Sequence, residues 1–202
     1  MRTDPALWFA AALAGLPLFA AAETTTGSLT GFYYAVPHES DFGVGVATLD
    51  HGALHLEARY NYEVKNAGSA FIGWKFAGGE TVTFEITPIV GGMFGGARGF
   101  VPGLEASVAW GRFDAYIEAE YVNDRAQPGT SYYYGWSELA WRPVEWLRVG
   151  LVGQRTRTVD VGRELDRGLF GQVAVDGATF GVYAFNLDSS ARYLVASFGV
   201  RF

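Results

Sequence analysis

The sequence predicts an all-β fold, a transmembrane antiparallel up-and-down β-barrel of about twelve strands, with ten as the alternative count. Three observations predict it. Apolar and polar residues alternate with period two through most of the chain, which puts them on opposite faces of strands. Connections alternate strictly between short and long, as in a barrel with tight turns at one rim and longer loops at the other. After Ala22, no apolar stretch approaches the ~20 residues of a spanning helix. A membrane protein built this way crosses as a closed sheet in which every backbone polar group is paired.

Composition points the same way. The 202 residues include 27 Gly, and aromatics make up 16%. Gly is costly inside helices, whereas Tyr, Phe and Trp favour pleated surfaces. The absence of cysteine removes disulfides, thiol nucleophiles and Cys-based metal sites. A formal net charge of −6 and a pI near 5.0 argue against a nucleic-acid partner and against a polybasic membrane-surface binder. Residues 1–22 read as a secretory signal: Arg2, then an apolar run from Ala6 to Leu18, then Ala20-Ala21-Ala22 before Glu23. The mature barrel is then 23–202.

The predicted strands, in order, are 28–36, 43–50, 53–63, 69–77, 80–90, 100–111, 113–123, 131–142, 145–157, 168–176, 178–187 and 191–202. The first two alternate weakly. In the third, Leu54, Leu56, Ala58, Tyr60 and Tyr62 oppose His55, Glu57, Arg59 and Asn61. Ala70, Ile72, Trp74 and Phe76 carry the fourth, and Val82, Phe84 and Ile86 the fifth. Leu104, Ala106, Val108 and Trp110 carry the sixth; Ala115, Ile117, Ala119 and Tyr121 carry the seventh. Leu147, Val149 and Leu151 oppose Arg148 in the ninth. The last strand is the cleanest, with Leu194, Ala196, Phe198, Val200 and Phe202 at every second position.

Tight turns fall at Asp50-His51-Gly52, Gly78-Gly79, Gly111 to Asp114, Arg142 to Glu145 and Asp176-Gly177. Longer connections fall at Pro37 to Asp41, Val64 to Gly68, Gly91 to Gly103, Asn123 to Thr130, Thr158 to Gly168 and Asp188 to Ala191. The Gly-rich segment from Gly91 to Phe100, with Met93, Phe94 and Arg98, reads as an external loop capped by its own apolar residues. Its alternative is a constriction folded into the mouth.

Tyr193 to Phe202 resembles the C-terminal strand of bacterial outer-membrane β-barrel proteins, which ends in Phe after alternating apolar positions. Here those positions are Leu194, Ala196, Phe198, Val200 and Phe202. The resemblance implies the bacterial outer membrane and recognition by the barrel-assembly machinery. Trp74, Phe76, Trp110, Tyr121, Trp141 and Trp146, near strand ends, fit interfacial girdles. A soluble periplasmic sandwich or lipocalin-like barrel shares the alternation but not the terminal pattern.

With the apolar face toward lipid, the polar face lines a lumen. Glu85, Glu105, Glu118, Glu120 and Glu138 lie on consecutive predicted strands and form an acidic arc. Arg59, Lys75, Arg142, Arg148 and Arg201 lie on flanking strands. Such charges must be hydrated or paired. They line a water-filled pore, or they bridge the lumen and plug it. Arg155, Arg157 and Arg192 take the outward parity near the external rim, where they meet lipopolysaccharide phosphates or solvent.

Catalysis finds little support. His38, beside Glu39, Ser40 and Asp41, is a candidate acid–base group in a loop, where adjacent polar residues are ordinary. His51 and His55 straddle a turn, a weak metal spacing. No metal or cofactor is assigned. The sequence therefore predicts a small passive channel for polar or charged solutes. The alternatives are a closed structural or adhesive barrel and, less favoured, a lipid-modifying enzyme.

Overall fold

The computed structural model describes residues 24–37, 40–125, 128–158 and 162–202. The segment expected as a secretory signal, His38 and Glu39 lie outside these residues. The strands are β1 (Thr25–Ala35), β2 (Phe42–His51), β3 (Leu54–Tyr60), β4 (Ala67–Trp74), β5 (Phe76–Gly78), β6 (Val82–Gly95) and β7 (Gly99–Trp110). They continue with β8 (Phe113–Asp124), β9 (Tyr132–Val144), β10 (Leu147–Thr158), β11 (Gly162–Val175), β12 (Ala178–Phe185) and β13 (Tyr193–Arg201). Successive strands pair antiparallel, except that β4 and β5 both pair with β6; with β1 also paired to β13, the sheet closes.

The barrel has twelve strands because β4 and β5 are one. Both pair with β6 in a constant register, Gly73 opposite Ile89 and Phe76 opposite Ile86. The gap falls where Trp74 would face Pro88. Proline carries no N–H, so the ladder lapses there without a change of register. The same lapse occurs between β7 and β8 beside Pro102.

The predicted alternation holds. Leu56, Ile72, Phe84, Val108, Ile117, Leu139, Leu151, Val182, Leu194 and Phe198 are exposed on the outer face. Trp74, Phe76, Trp110, Phe113, Trp141 and Trp146 ring the short-turn rim, and Tyr33, Tyr60, Phe94, Phe100 and Tyr133 ring the other, all exposed. An exposed apolar band between two aromatic girdles is the surface of a membrane-embedded barrel. Among the described residues no helix is long and apolar enough to cross a membrane; the chain crosses with strands.

The terminal Phe202 completes the closure. Its backbone exchanges two hydrogen bonds with Gly27, at 2.7 and 3.0 Å. A Cβ at Gly27 would lie 2.6 Å from the Phe202 ring, so a larger residue there requires the ring to shift. Asp176 and Gly177 both take positive φ, 49° and 81°, as a tight hairpin turn requires.

Three connections differ from expectation. The Gly91–Gly103 loop is mostly strand: β6 runs to Gly95 and β7 starts at Gly99, with Met93 opposite Gly99. Gly in a strand interior was read as loop chemistry, but pairing on both sides outweighs that cost. Likewise β11 starts at Gly162, opposite Thr158, so the expected Thr158–Gly168 loop is largely a hairpin extension. The third strand ends at Tyr60, short of the predicted residue 63.

Candidate functional site

The inner face is built by strand parity. On β3, His55, Glu57 and Arg59 point inward and are buried; on β8, Asp114, Glu118 and Glu120 do the same. Glu85 and Ser107 are buried on β6 and β7, and Arg148 on β10. Each predicted lining residue, Arg59, Lys75, Glu85, Glu105, Glu118, Glu120, Glu138, Arg142 and Arg148, makes an inward ion pair.

Arg59 is the hub. Its side chain is 1% exposed. Nε donates to Glu57 Oε1 at 2.5 Å. Nη1 donates to Glu120 Oε1 at 2.7 Å, and to Glu63 Oε1 and Glu118 Oε1 at 3.2 Å. Nη2 lies 3.6 Å from Glu105 Oε1. The guanidinium carbon sits 4.5 Å from the Tyr62 ring centroid and 4.4 Å from that of Phe71, within cation–π range. The separate basic arc expected from sequence is therefore not present as such. Arg59 leaves the wall of β3 and reaches into the acidic side of β7 and β8, because long side chains on facing strands meet across a lumen.

The connection from β3 to β4 brings further groups inward. Asn61 takes positive φ, 65°, and its N–H bonds Ala67 O at 2.8 Å. That kink breaks the period-two parity, so Tyr62, expected on the lipid face, turns inward and donates to Glu118 Oε2 at 2.9 Å. Glu63 is buried and accepts from Ser69 Oγ at 2.7 Å. The Tyr132 hydroxyl donates to the Glu63 carbonyl, tying this segment to β9. Tyr62 and Glu63 are thus the residues of this connection that enter the charged network. The Gly-rich segment contributes apolar packing: Met93 and Ala97 join Ala67, Phe71, Ile89, Val101 and Val122 in a buried cluster, while Arg98 is exposed.

Near the short turns, Asp50 Oδ1 accepts from His55 Nδ1 at 2.7 Å, and Lys75 Nζ lies 3.0 Å from Asp50 Oδ2 and 3.3 Å from Glu85 Oε2. In this larger network seven carboxylates (Asp50, Glu57, Glu63, Glu85, Glu105, Glu118 and Glu120) surround Arg59 and Lys75, and Arg201 interacts electrostatically with Asp50 and Glu85.

A second network is balanced. Arg148 Nη2 donates to Asp114 Oδ1 at 2.6 Å and Nη1 to Glu138 Oε2 at 2.5 Å; Arg142 Nε donates to Asp114 Oδ2 at 3.1 Å. Beside it an aromatic cluster of Trp136, Phe170, Tyr183 and Phe185 fills the wall from β9 to β12. Sequence reading missed Asp50, Glu57, Glu63, Tyr62 and Asp114 as site residues. Asp50 and Asp114 had been read as turn residues, although Asp114 shares the parity of Glu118 and Glu120.

Arg155 and Arg157 point outward from β10 and are exposed; Arg192 is exposed in the β12–β13 connection, where it borders a cleft with Pro37 and Leu187.

No protein-family model matches the chain, and a search of curated proteins gives no match. Solved structures do. The KdgM porin in complex with disordered oligogalacturonate aligns with a TM-score of 0.65 at 10% identity, over 87% of this chain and 98% of that one. The KdgM porin alone aligns at 0.64 and 10%, with the same coverage. The chain shares the KdgM porin fold. At 10% identity the likeness is one of fold alone.

Proposed function

We propose that this chain is an outer-membrane channel for small polar or charged solutes, with the Arg59 network as its constriction. One observation carries the reading: the inward face of a closed porin-fold barrel is lined with charged side chains from β3 to β10. A wall of fixed charges orients ions and polar solutes along the axis. Because carboxylates outnumber cations in the larger network, the channel favours cations. The oligogalacturonate seen with the KdgM porin is a polyanion; an acidic wall disfavours such a ligand here.

The test is single-channel conductance of the refolded mature protein in a planar bilayer. Cation-selective current that loses selectivity in the Glu118→Gln/Glu120→Gln variant is the expected result. A silent barrel, folded by gel mobility, overturns the reading.

A second reading rests on the burial of Arg59 and the apolar clusters at both sides of the lumen: a closed barrel acting through its external loops. Silence in bilayers favours it. Neither reading assigns catalysis. On this reading the exposed Arg155, Arg157 and Arg192 meet lipopolysaccharide phosphates, which guanidinium geometry suits. The Leu194–Phe202 pattern serves as the signal read by the barrel-assembly machinery.

A further inference from the structure

The two lumen networks differ in charge balance. Arg142 and Arg148 match Asp114 and Glu138, whereas carboxylates exceed cations around Arg59. Within the unbalanced network, one nitrogen and two carboxylate ligand atoms, from His55, Glu57 and Glu105, all lie within 4.8 Å of one another. We propose that His55, Glu57 and Glu105 bind a divalent transition-metal cation of the Zn2+ type inside the lumen, with Asp50 orienting the imidazole.

The local geometry favours coordination. Asp50 Oδ1 lies 2.7 Å from His55 Nδ1 and, as a carboxylate, accepts its proton. That leaves Nε2 as the ligand end, the carboxylate–histidine arrangement found behind metal-bound imidazoles. Nε2 is 3.3 Å from Glu57 Oε2. Two ligands on a tetrahedral ion with bonds of about 2.1 Å stand about 3.4 Å apart. Glu57 Oε1 is occupied by Arg59 Nε at 2.5 Å, which directs Oε2 toward His55. Among the described residues, Glu105 has a single ion contact, the 3.6 Å approach of Arg59 Nη2, and its side chain is 19% exposed. With no shorter ion pair to break among the described residues, its carboxylate is available to an ion held by His55 and Glu57. In the metal-free barrel, the His55 ring spans Asp50 at Nδ1 and Glu57 at Nε2; the ion takes the Nε2 side and leaves the Nδ1 proton donated to Asp50. One imidazole with two carboxylates suits a borderline cation better than Mg2+ or Ca2+. Three protein ligands leave a position for water or solute. The site does not depend on the lumen conducting.

The test uses the refolded mature barrel in detergent, stripped with EDTA and titrated with ZnCl2 by calorimetry. Bound zinc is counted by elemental analysis after gel filtration, and folding is checked by gel mobility. A single bound Zn2+ is expected. His55→Gln and Glu105→Gln each lower its affinity at least about tenfold, and Asp50→Asn lowers it about 10- to 100-fold. Glu105→Gln keeps the test decisive if His55→Gln fails to fold. No zinc on the folded wild-type barrel overturns the proposal. So does zinc whose affinity is unchanged in Glu105→Gln, or zinc lost on substituting the exposed His51 instead.

Discussion

At the scale of the residue, Arg59 holds the lumen together. Burying a guanidinium is costly unless it is compensated, and here four carboxylates accept from Nε and Nη1, a fifth lies 3.6 Å from Nη2, and two aromatic rings flank it. Arg59→Met is expected to destabilise the folded barrel by about 3–5 kcal/mol, because buried carboxylates lose their shared counter-charge. The urea midpoint of the refolded protein measures this. Arg148→Met is expected to cost less, since Arg142 still meets Asp114. Tyr62→Phe removes a part-buried hydrogen bond to Glu118 and is expected to cost about 1 kcal/mol. The participation of Arg59 was legible from strand parity. Its partners Glu63 and Tyr62 were not, because the kink at Asn61 falls in the αL region and reverses the parity that periodicity extrapolates.

At the scale of the element, each strand presents one face to lipid and one to the lumen, so equivalent substitutions differ by position. Leu151 lies mid-strand on β10, is 56% exposed and pairs with Leu139 and Leu169. Leu151→Arg is expected to cost about 2–4 kcal/mol, while the same change at Leu147, beside Trp146 at the rim, costs about 0–1 kcal/mol. Refolding into lipid vesicles with a urea titration separates the two. Strand ends were the least legible feature. Gly91, Gly92 and Gly95 read locally as loop, yet β6 continues through them because β4 and β7 supply partners on both sides. Conversely, Pro88 was correctly inside a strand although it cannot donate to the ladder, since β4 and β5 resume in register around it.

At the scale of the molecule, an acidic lumen makes selectivity depend on salt. Fixed wall charges act over a Debye length, about 10 Å at 0.1 M and 3 Å at 1 M ionic strength. Cation selectivity measured from reversal potentials is therefore expected to weaken as KCl rises between those concentrations. A selectivity unchanged across that range would mean that the wall charges do not face the permeation path.

The sequence by itself determined the all-β class, the twelve-strand count, the face that each regular strand turns to lipid and the terminal strand that closes the barrel. These follow from local periodicity and turn chemistry, which are written along the chain. Only the tertiary structure decided which charges meet. Asp50 comes to His55 through the β2–β3 hairpin, Glu57 comes near Glu105 from strands distant in sequence, and Arg59 reaches Glu118 and Glu120 across the interior. Sequence fixes parity one strand at a time, whereas the reach of a long side chain across a lumen depends on closure, on relative height along the axis and on the inward turn of Tyr62 and Glu63. Those are properties of the closed barrel, and no single strand carries them.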